Sequence, residues 1–555
     1  MRSTVVYLSC DGKKPTCQRC MVYGKPCPGY TDTFHFRVGL TKTDFEVAPA
    51  NALTSSVSGR NERRGIPKSL TRQSSKRSEN TVLCLLSQSR SEVIYRSPEL
   101  PDDQISLCYF VKRFVSPDDT DGVSGHLSFL PALYDHSNRG ILETATMSVA
   151  HYAAFNRHGS ERFRLQSYRY YSRTIKMLQE AMQVEGSATD DKIVTTILLM
   201  CMLKDISGEG SGDSQEHAPG LFYLLEQRGP DQIISKIGAQ LFLLAHLRLQ
   251  TYSFLNEDDR YSDPGAIASL LGMFDPLIRA MSMMSRVLSL KHTLTRYLSL
   301  NYGQRPSQSV SPASPEGQTP VKITSTIRMC FEALEDFARW DAEAGAYWEQ
   351  SFVGRTVPTM LGQVASGMTS YDADTACIII LIRSPRLILL LTMLLYYGKT
   401  QTGPVAFRST QEDSAAWEAC VSFLEDDVRK TIDDIIYSVP YALGNPSSDG
   451  QPASMPHDGA SALIIVQSIR LVAHCAYSTP NRLQKAQSIL NRINTTIGIR
   501  SALGWEEGGT AKISNWIAEQ EFLRSMISAR SKDLLLKSDM PIASTYCNLG
   551  QPEVD

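Results

Sequence analysis

The sequence predicts an all-α protein, on three observations. From about residue 101 onward apolar residues recur at three- and four-residue spacings, the period of one helical face. Alternating strand patterns are scarce. Two Pro/Ser/Gly-rich stretches, Tyr302 to Pro320 and Gly444 to Ala460, interrupt the helix-length segments and read as long exposed loops.

The first clear segment is RFRLQSYRYYSRTIKMLQEAM, where Phe163, Tyr168, Tyr171, Ile175, Leu178 and Met182 share one face with some slippage. The next, Asp191 to Asp205, is apolar almost all round and is expected among other helices, with Asp190 or Asp191 capping its start. After a Gly/Ser-rich loop from Ser207 to Ser214, a segment with Leu221, Leu224 and Leu225 is helical until Gly229-Pro230 stops it. Further helices are expected near residues 233–254, 276–300, 324–350, 375–398, 412–437, 460–476, 480–497 and 512–536. The two long loops are candidate boundaries between sub-bundles, and no repeat of fixed period marks a solenoid.

The strongest apolar run, Cys377 to Tyr397, is broken by Arg383-Ser-Pro-Arg386 into pieces too short to span a bilayer. It is expected to be a buried core helix or a pair of them. The N-terminal apolar run, Val5 to Leu8, is shorter than a signal peptide needs. No membrane partner is expected, and the compartment is intracellular.

Catalytic patterns are missing. There is no G-x-S-x-G elbow, no P-loop and no H-E-x-x-H, and the glycines at 208, 210 and 212 follow a helix rather than a strand. His126, His151, His217 and His474 are scattered and read as packed or exposed residues rather than ligands. Tyr168, Tyr170, Tyr171 and the Tyr396-Tyr397 pair read as core. No enzyme activity is expected.

At 555 residues the chain is several times the ~150 residues of one domain, so more than one unit is expected. The net charge of −2 does not advertise nucleic acid, but its distribution does. Residues 1–40 hold six basic side chains (Arg2, Lys13, Lys14, Arg19, Lys25, Arg37) against Asp11 and Asp32. A second basic stretch runs from Arg60 to Arg77, so a small basic head precedes a larger acidic body. That stretch is a candidate nuclear import signal or phosphate-contacting arm, and a solvated linker equally.

Eight of the twelve cysteines (Cys84, Cys108, Cys201, Cys330, Cys377, Cys420, Cys475, Cys547) are isolated, most in apolar surroundings, and read as small unpaired hydrophobes. The other four crowd into the segment CDGKKPTCQRCMVYGKPCPGY as C-x6-C-x2-C-x6-C: Cys10, Cys17, Cys20 and Cys27. A C-x2-C pair turns two thiolates toward one metal, and flanking cysteines complete a tetrahedral sulfur shell. Soft thiolates in a reducing compartment favour zinc. A disulfide-stapled loop is the competing reading, disfavoured without an export signal.

The segment from Cys10 to Arg37 resembles the second half of the fungal zinc binuclear cluster, the DNA-binding head of a family of fungal transcription regulators. Cys10, Cys17, Cys20 and Cys27 match the family's third to sixth cysteines. Asp11, Lys13-Lys14 and Pro15 resemble its loop, and Pro28-Gly29-Tyr30 with Asp32, Phe36 and Arg37 resembles one large branch. The family's first C-x2-C and its basic recognition segment have no counterpart in the lead-in MRSTVVYLS. Two origins stay open: a mis-set first exon, which this apolar lead-in favours, or a shortened paralogue.

The body from about 101 to 540 resembles the fungal regulatory domain that follows the cluster. The pieces that match are Met147-Ser148-Val149-Ala150, Tyr170-Tyr171, the helix at 193–203, and His217, Gly220, Leu224, Leu225, Arg228 and Gly229. A family tryptophan is absent there and Pro219 intrudes.

The resemblance implies a partial zinc-cluster segment at 1–37, a flexible basic, Ser-rich linker at 38–100, an all-α regulatory domain at 101–540 and a tail at 541–555. It implies a nuclear, zinc-dependent transcription factor acting on RNA polymerase II promoters. Cys10, Cys17, Cys20 and Cys27 are the expected metal ligands, and Lys13, Lys14 and Arg19 the expected phosphate contacts. Double-stranded DNA and the transcriptional machinery are the expected partners, and a homodimer is a candidate assembly. Phosphate contacts position a protein without reading sequence, so specific readout is weakened in this chain. The alternative is a helical effector- or protein-interaction regulator that has lost sequence-specific DNA binding.

Overall fold

A computed structural model describes residues 101–116, 126–184, 186, 189–208, 217–261, 275–302, 320–351, 373–402, 411–444, 457–504 and 513–538. Regular structure among them is entirely helical. The helices are α1 (Asp102–Phe114), α2 (Leu130–Leu133), α3 (Ile141–His158), α4 (Glu161–Ala181), α5 (Asp191–Ser207), α6 (Ala218–Arg228) and α7 (Lys236–Asn256). Then follow α8 (Pro276–Tyr302), α9 (Pro320–Ser351), α10 (Ala373–Thr402), α11 (Gln411–Leu443), α12 (Asp458–His474), α13 (Pro480–Arg492) and α14 (Ile513–Ser538).

The signals read from the chain form these helices for the expected reasons. Asp190 caps α5 by accepting the Lys192 N–H at 2.8 Å. The α5 face is apolar all round and every residue from Ile193 to Ile206 is buried. Helix α6 ends at Arg228 because Gly229 takes φ 67°, a left-handed conformation that glycine alone adopts freely, and Pro230 follows. On α4, Phe163, Tyr171, Ile175 and Leu178 are buried, while Tyr168 and Met182 pack at the rim.

Helix α3 is the hub of the N-terminal part, packed against α1, α4 and α5. Ala145, Ala150, Ala153 and Ala154 let its neighbours approach closely. The Ser148 and Ser167 hydroxyls donate to each other's backbone carbonyls across α3 and α4 at 3.0 and 2.7 Å. That reciprocal pair fixes the register of two helices at a fully buried contact.

Helix α10 is the hub of the C-terminal part, with α8, α11, α12, α14 and α9 around it. It is one continuous helix, not two, and Pro385 lies inside it. By length and composition residues 373–401 are apolar enough to cross a membrane, but 94% of the most apolar window is buried within the protein. Of the two charges that interrupt the run, Arg383 is buried and Arg386 half-buried. Arg383, 1% exposed, donates from Nη2 to Asp341 at 2.8 Å on α9 and from Nε to Asp434 at 3.2 Å on α11. Arg386 grips Asp427 of α11 through Nη2 at 2.7 and 2.8 Å. Burial pushes the Asp434 carboxyl up from its ordinary pKa, and Arg383 pulls it back.

The loop-defined sub-bundles are not seen. Buried residues from α1 through α14 form one apolar cluster, so the helices either side of both interruptions share a core. The second interruption is also shorter than expected, because α12 already begins at Asp458. Asp458 forms a buried ion pair with Arg113 of α1, Oδ2 accepting from Nη2 at 2.9 Å. Gly459 lies so close to Phe114 that a Cβ there would sit 2.6 Å from the ring. Sequence shows a flexible glycine at that position, but the fold uses its missing side chain to let two helices touch. The segments 303–319 and 445–456, the linker at 38–100 and the tail at 541–555 lie outside the described residues.

Replacing one member of a buried ion pair leaves the other charge uncompensated. Arg383→Leu is therefore expected to lower unfolding free energy by about 3–5 kcal/mol. Adding Asp434→Leu should return a large part of that loss, measured by urea denaturation of the full chain.

Candidate ligand cavity

The residues expected to bind metal and DNA, Cys10, Cys17, Cys20, Cys27, Lys13, Lys14 and Arg19, lie outside the described residues, as does the basic stretch Arg60 to Arg77. Among the described residues no group of three or more His, Cys, Asp or Glu side chains is arranged to hold a metal ion. The isolated cysteines behave as expected where described. Cys201, Cys330, Cys377 and Cys475 are buried and in no disulfide, Cys420 is half-buried, and only Cys108 of the six described is exposed. Burial pushes the Cys201 and Cys330 thiols up to about 12, so neither is a thiolate nucleophile.

One cluster has the membership of a hydrolytic triad. Asp103 Oδ1 lies 2.9 Å from His151 Nε2, and His151 Nδ1 lies 3.0 Å from Ser106 Oγ. The carboxylate accepts a hydrogen bond from Nε2–H, so in this neutral tautomer Nδ1 accepts from the serine hydroxyl. Tyr170, read from sequence as core, donates to the other Asp103 oxygen at 3.0 Å and stacks on His151. Yet Ser106 and His151 are 0% exposed, and neither lines a cavity into which a substrate carbonyl fits. Burial lowers the His151 pKa, and Asp103 offsets part of that shift. The network joins α1, α3 and α4.

Among the described residues two adjoining pockets lie between α7, α8, α10 and α12 as two lobes, and His126, Leu244, Leu247, Leu381 and Ile464 line both. One lobe has a cavity volume of about 80 Å³. Its walls are mostly apolar, from Phe129, Leu243, Leu277, Met281 and Ile378. The other, also about 80 Å³, adds polar groups: Asp205 of α5, Arg248 and Gln250 of α7, Ser384 of α10, and Gln467 and Ser468 of α12.

The helices present this lining by simple periodicity. On α7, Leu241, Ala245 and Leu249 point into the core, while Leu243, Leu244 and Leu247 are only half-buried along the cavity. On α12, Leu463, Ile464 and Gln467 are likewise half-buried between buried neighbours. Met281 and Leu381, with Leu243, Leu247, Leu277 and Ile278, form a small apolar cluster separate from the main core. The core is interrupted here rather than continuous.

Electrostatics in the cavity are balanced. Asp205 pairs with Arg248. Burial lowers the Arg248 pKa, but the Asp205 carboxylate more than restores it, so the guanidinium stays charged. Behind them Arg470 donates to the carbonyls of Ala502 and Ser501. His126 sits with Nδ1 3.1 Å from the Phe114 carbonyl, and burial brings its pKa down to about 4, so it is neutral. Gln250 is 1% exposed and gives its amide N–H groups to the Met281 carbonyl at 2.6 Å and Ser285 at 2.8 Å.

A model of the fungal-specific transcription factor domain matches residues 129–314. The chain carries a fungal-specific transcription factor domain. The match spans about a third of the sequence, from the turn before α2 to just past α8. The matched domain is a non-catalytic one. No curated protein and no solved structure matches the chain. The domain therefore supplies α5, α7 and α8 of the cavity, and helices beyond the match, α10 and α12, supply the opposite wall.

His217, in the segment read as family-like, is 7% exposed at the start of α6, and burial lowers its pKa to about 4. The unfolded chain takes up the proton near pH 6.5 while the folded one does not, so stability falls as pH drops below that value. Between pH 7 and 5 this group should remove about 2 kcal/mol. His217→Gln is expected to flatten the pH dependence of the urea midpoint by that amount.

Proposed function

We propose that this chain is a zinc-dependent DNA-binding regulator of RNA polymerase II transcription in a fungal nucleus, whose helical body controls the activity of its basic head. The observation that carries the proposal is the conjunction of two independent features. The fungal-specific transcription factor domain lies at 129–314, and the C-x6-C-x2-C-x6-C spacing of Cys10, Cys17, Cys20 and Cys27 lies ahead of it. The four thiolates fit zinc by donor chemistry, enough for one tetrahedral ion. Zinc there supplies folding energy to a segment with little apolar core of its own.

Lys13, Lys14 and Arg19 are the phosphate contacts of this reading, and such contacts position a protein on DNA without reading its sequence. The second reading is a helical effector or interaction module without sequence-specific binding, supported by the cavity within the helical body. Chromatin immunoprecipitation of the native full-length product separates them. Promoter enrichment supports the regulator, and no enrichment with a cytoplasmic location overturns it.

In gel-shift titrations, each phosphate contact contributes about 0.9 to the slope of log affinity against log salt. Replacing Lys13, Lys14 and Arg19 together by alanine should flatten that slope by up to about 3. Treating the protein with a zinc chelator should abolish the shift. Binding that is weak, strongly salt-dependent and indifferent to sequence supports the second reading.

A further inference from the structure

We propose that the two-lobed cavity between α7, α8, α10 and α12 is a binding site for a neutral, largely apolar small molecule that carries a hydroxyl or N–H group. Protein interiors are packed to crystal-like density, so a gap that splits the apolar core is a costly feature. Here the gap separates Met281 and Leu381 from the main core and leaves Leu243, Leu244 and Leu247 half-buried on one helix face. A hydrocarbon body filling the lobe lined by Leu243, Leu277 and Ile378 would remove that apolar surface from water.

Charge sets the second requirement. The other lobe contains one cation and one anion, Arg248 and Asp205, and they are paired with each other. An anionic ligand would have to displace Asp205 from Arg248, and Asp374 beside the apolar lobe adds a further negative group. His126 is held neutral by burial and offers no positive charge. A cationic ligand would leave the water that stabilises it for walls that are mainly leucine and isoleucine. The neutral form fits.

Hydrogen bonding sets the third. Gln250 must point its NH2 at the Met281 carbonyl, since only a donor satisfies that oxygen. Its Oε1 is therefore the free end, and that atom is buried with no partner. Gln250 lines the polar lobe, so this acceptor is what a ligand O–H or N–H would satisfy. The proposal does not depend on DNA binding by the basic head, so either can fail alone.

The test is displacement of a neutral solvatochromic dye, Nile red, from the full-length protein. The proposal expects saturable dye binding, displaced by 1-decanol at roughly tenfold lower concentration than by its methyl ether, which has no donor. Decanoate and decylamine should displace more weakly than the alcohol. Leu247→Trp, which fills the wall common to both lobes, should abolish dye binding while circular dichroism still shows the helical fold. Should that variant not fold, Gln250→Leu decides: it should retain dye binding and erase the preference for the alcohol over the ether. No saturable dye binding, unchanged binding to a folded Leu247→Trp protein, an alcohol preference that survives Gln250→Leu, or stronger displacement by either charged amphiphile overturns the proposal.

Discussion

Two arginines at the middle of the most apolar helix, Arg383 buried and Arg386 half-buried, set the terms for the C-terminal half of this protein. A guanidinium 1% exposed is tolerable only beside a carboxylate, and Arg383 needs Asp341 on one side and Asp434 on the other. Arg386 needs Asp427. These partners sit on α9 and α11, so satisfying the charges of α10 places both neighbouring helices at once. Apolar side chains such as Ile379, Leu390 and Leu394 accept many neighbours of similar volume, whereas the forked donors accept few geometries. Burial of the hydrocarbon supplies the driving force, and the ion pairs restrict where it can be satisfied.

This explains how much of the fold could be read in advance. Helix positions, the all-round burial of Asp191–Ser207, the Asp190 cap and the Gly229 stop follow from local chemistry, and so they were legible. The Arg383-Ser-Pro-Arg386 interruption was legible as an argument against a membrane span. Its partners were not, because Asp341, Asp427 and Asp434 are 41 to 51 residues away and look like ordinary surface acids on helices. Gly459 and Asp458 misled for a related reason: a Gly/Pro/Ser-rich neighbourhood says loop, and only the distant Phe114 and Arg113 say helix contact.

The candidate site was harder still. A cavity is a property of what helices fail to fill, and no spacing encodes it. On α7 the leucines at 243, 244 and 247 look the same in sequence as those at 241 and 249, yet they face opposite surroundings. The only hint was Gln250, a polar side chain on a strongly apolar helix. The Ser106–His151–Asp103 cluster shows the reverse hazard, where residues that match a catalytic pattern, with Ser106 and His151 fully buried and Asp103 at the surface, join helices. The cysteine head rests on spacing alone, and Cys10, Cys17, Cys20 and Cys27 lie outside the described residues.

The contact of α1 with α12 has a temporal meaning. Arg113 meets Asp458 and Asn156 meets the Gly498 carbonyl, pairs separated by 345 and 342 residues. Synthesis at 5–20 residues per second puts roughly 20 to 70 s between the emergence of the two sides. Throughout that interval Phe110, Phe114 and the apolar face of α3 lack their final cover, and the segment matching the fungal domain is already complete without them. The domain boundary drawn by sequence similarity is therefore not a boundary of folding. A growing chain of this protein carries an unfinished core until α12 and the residues up to Gly498 arrive.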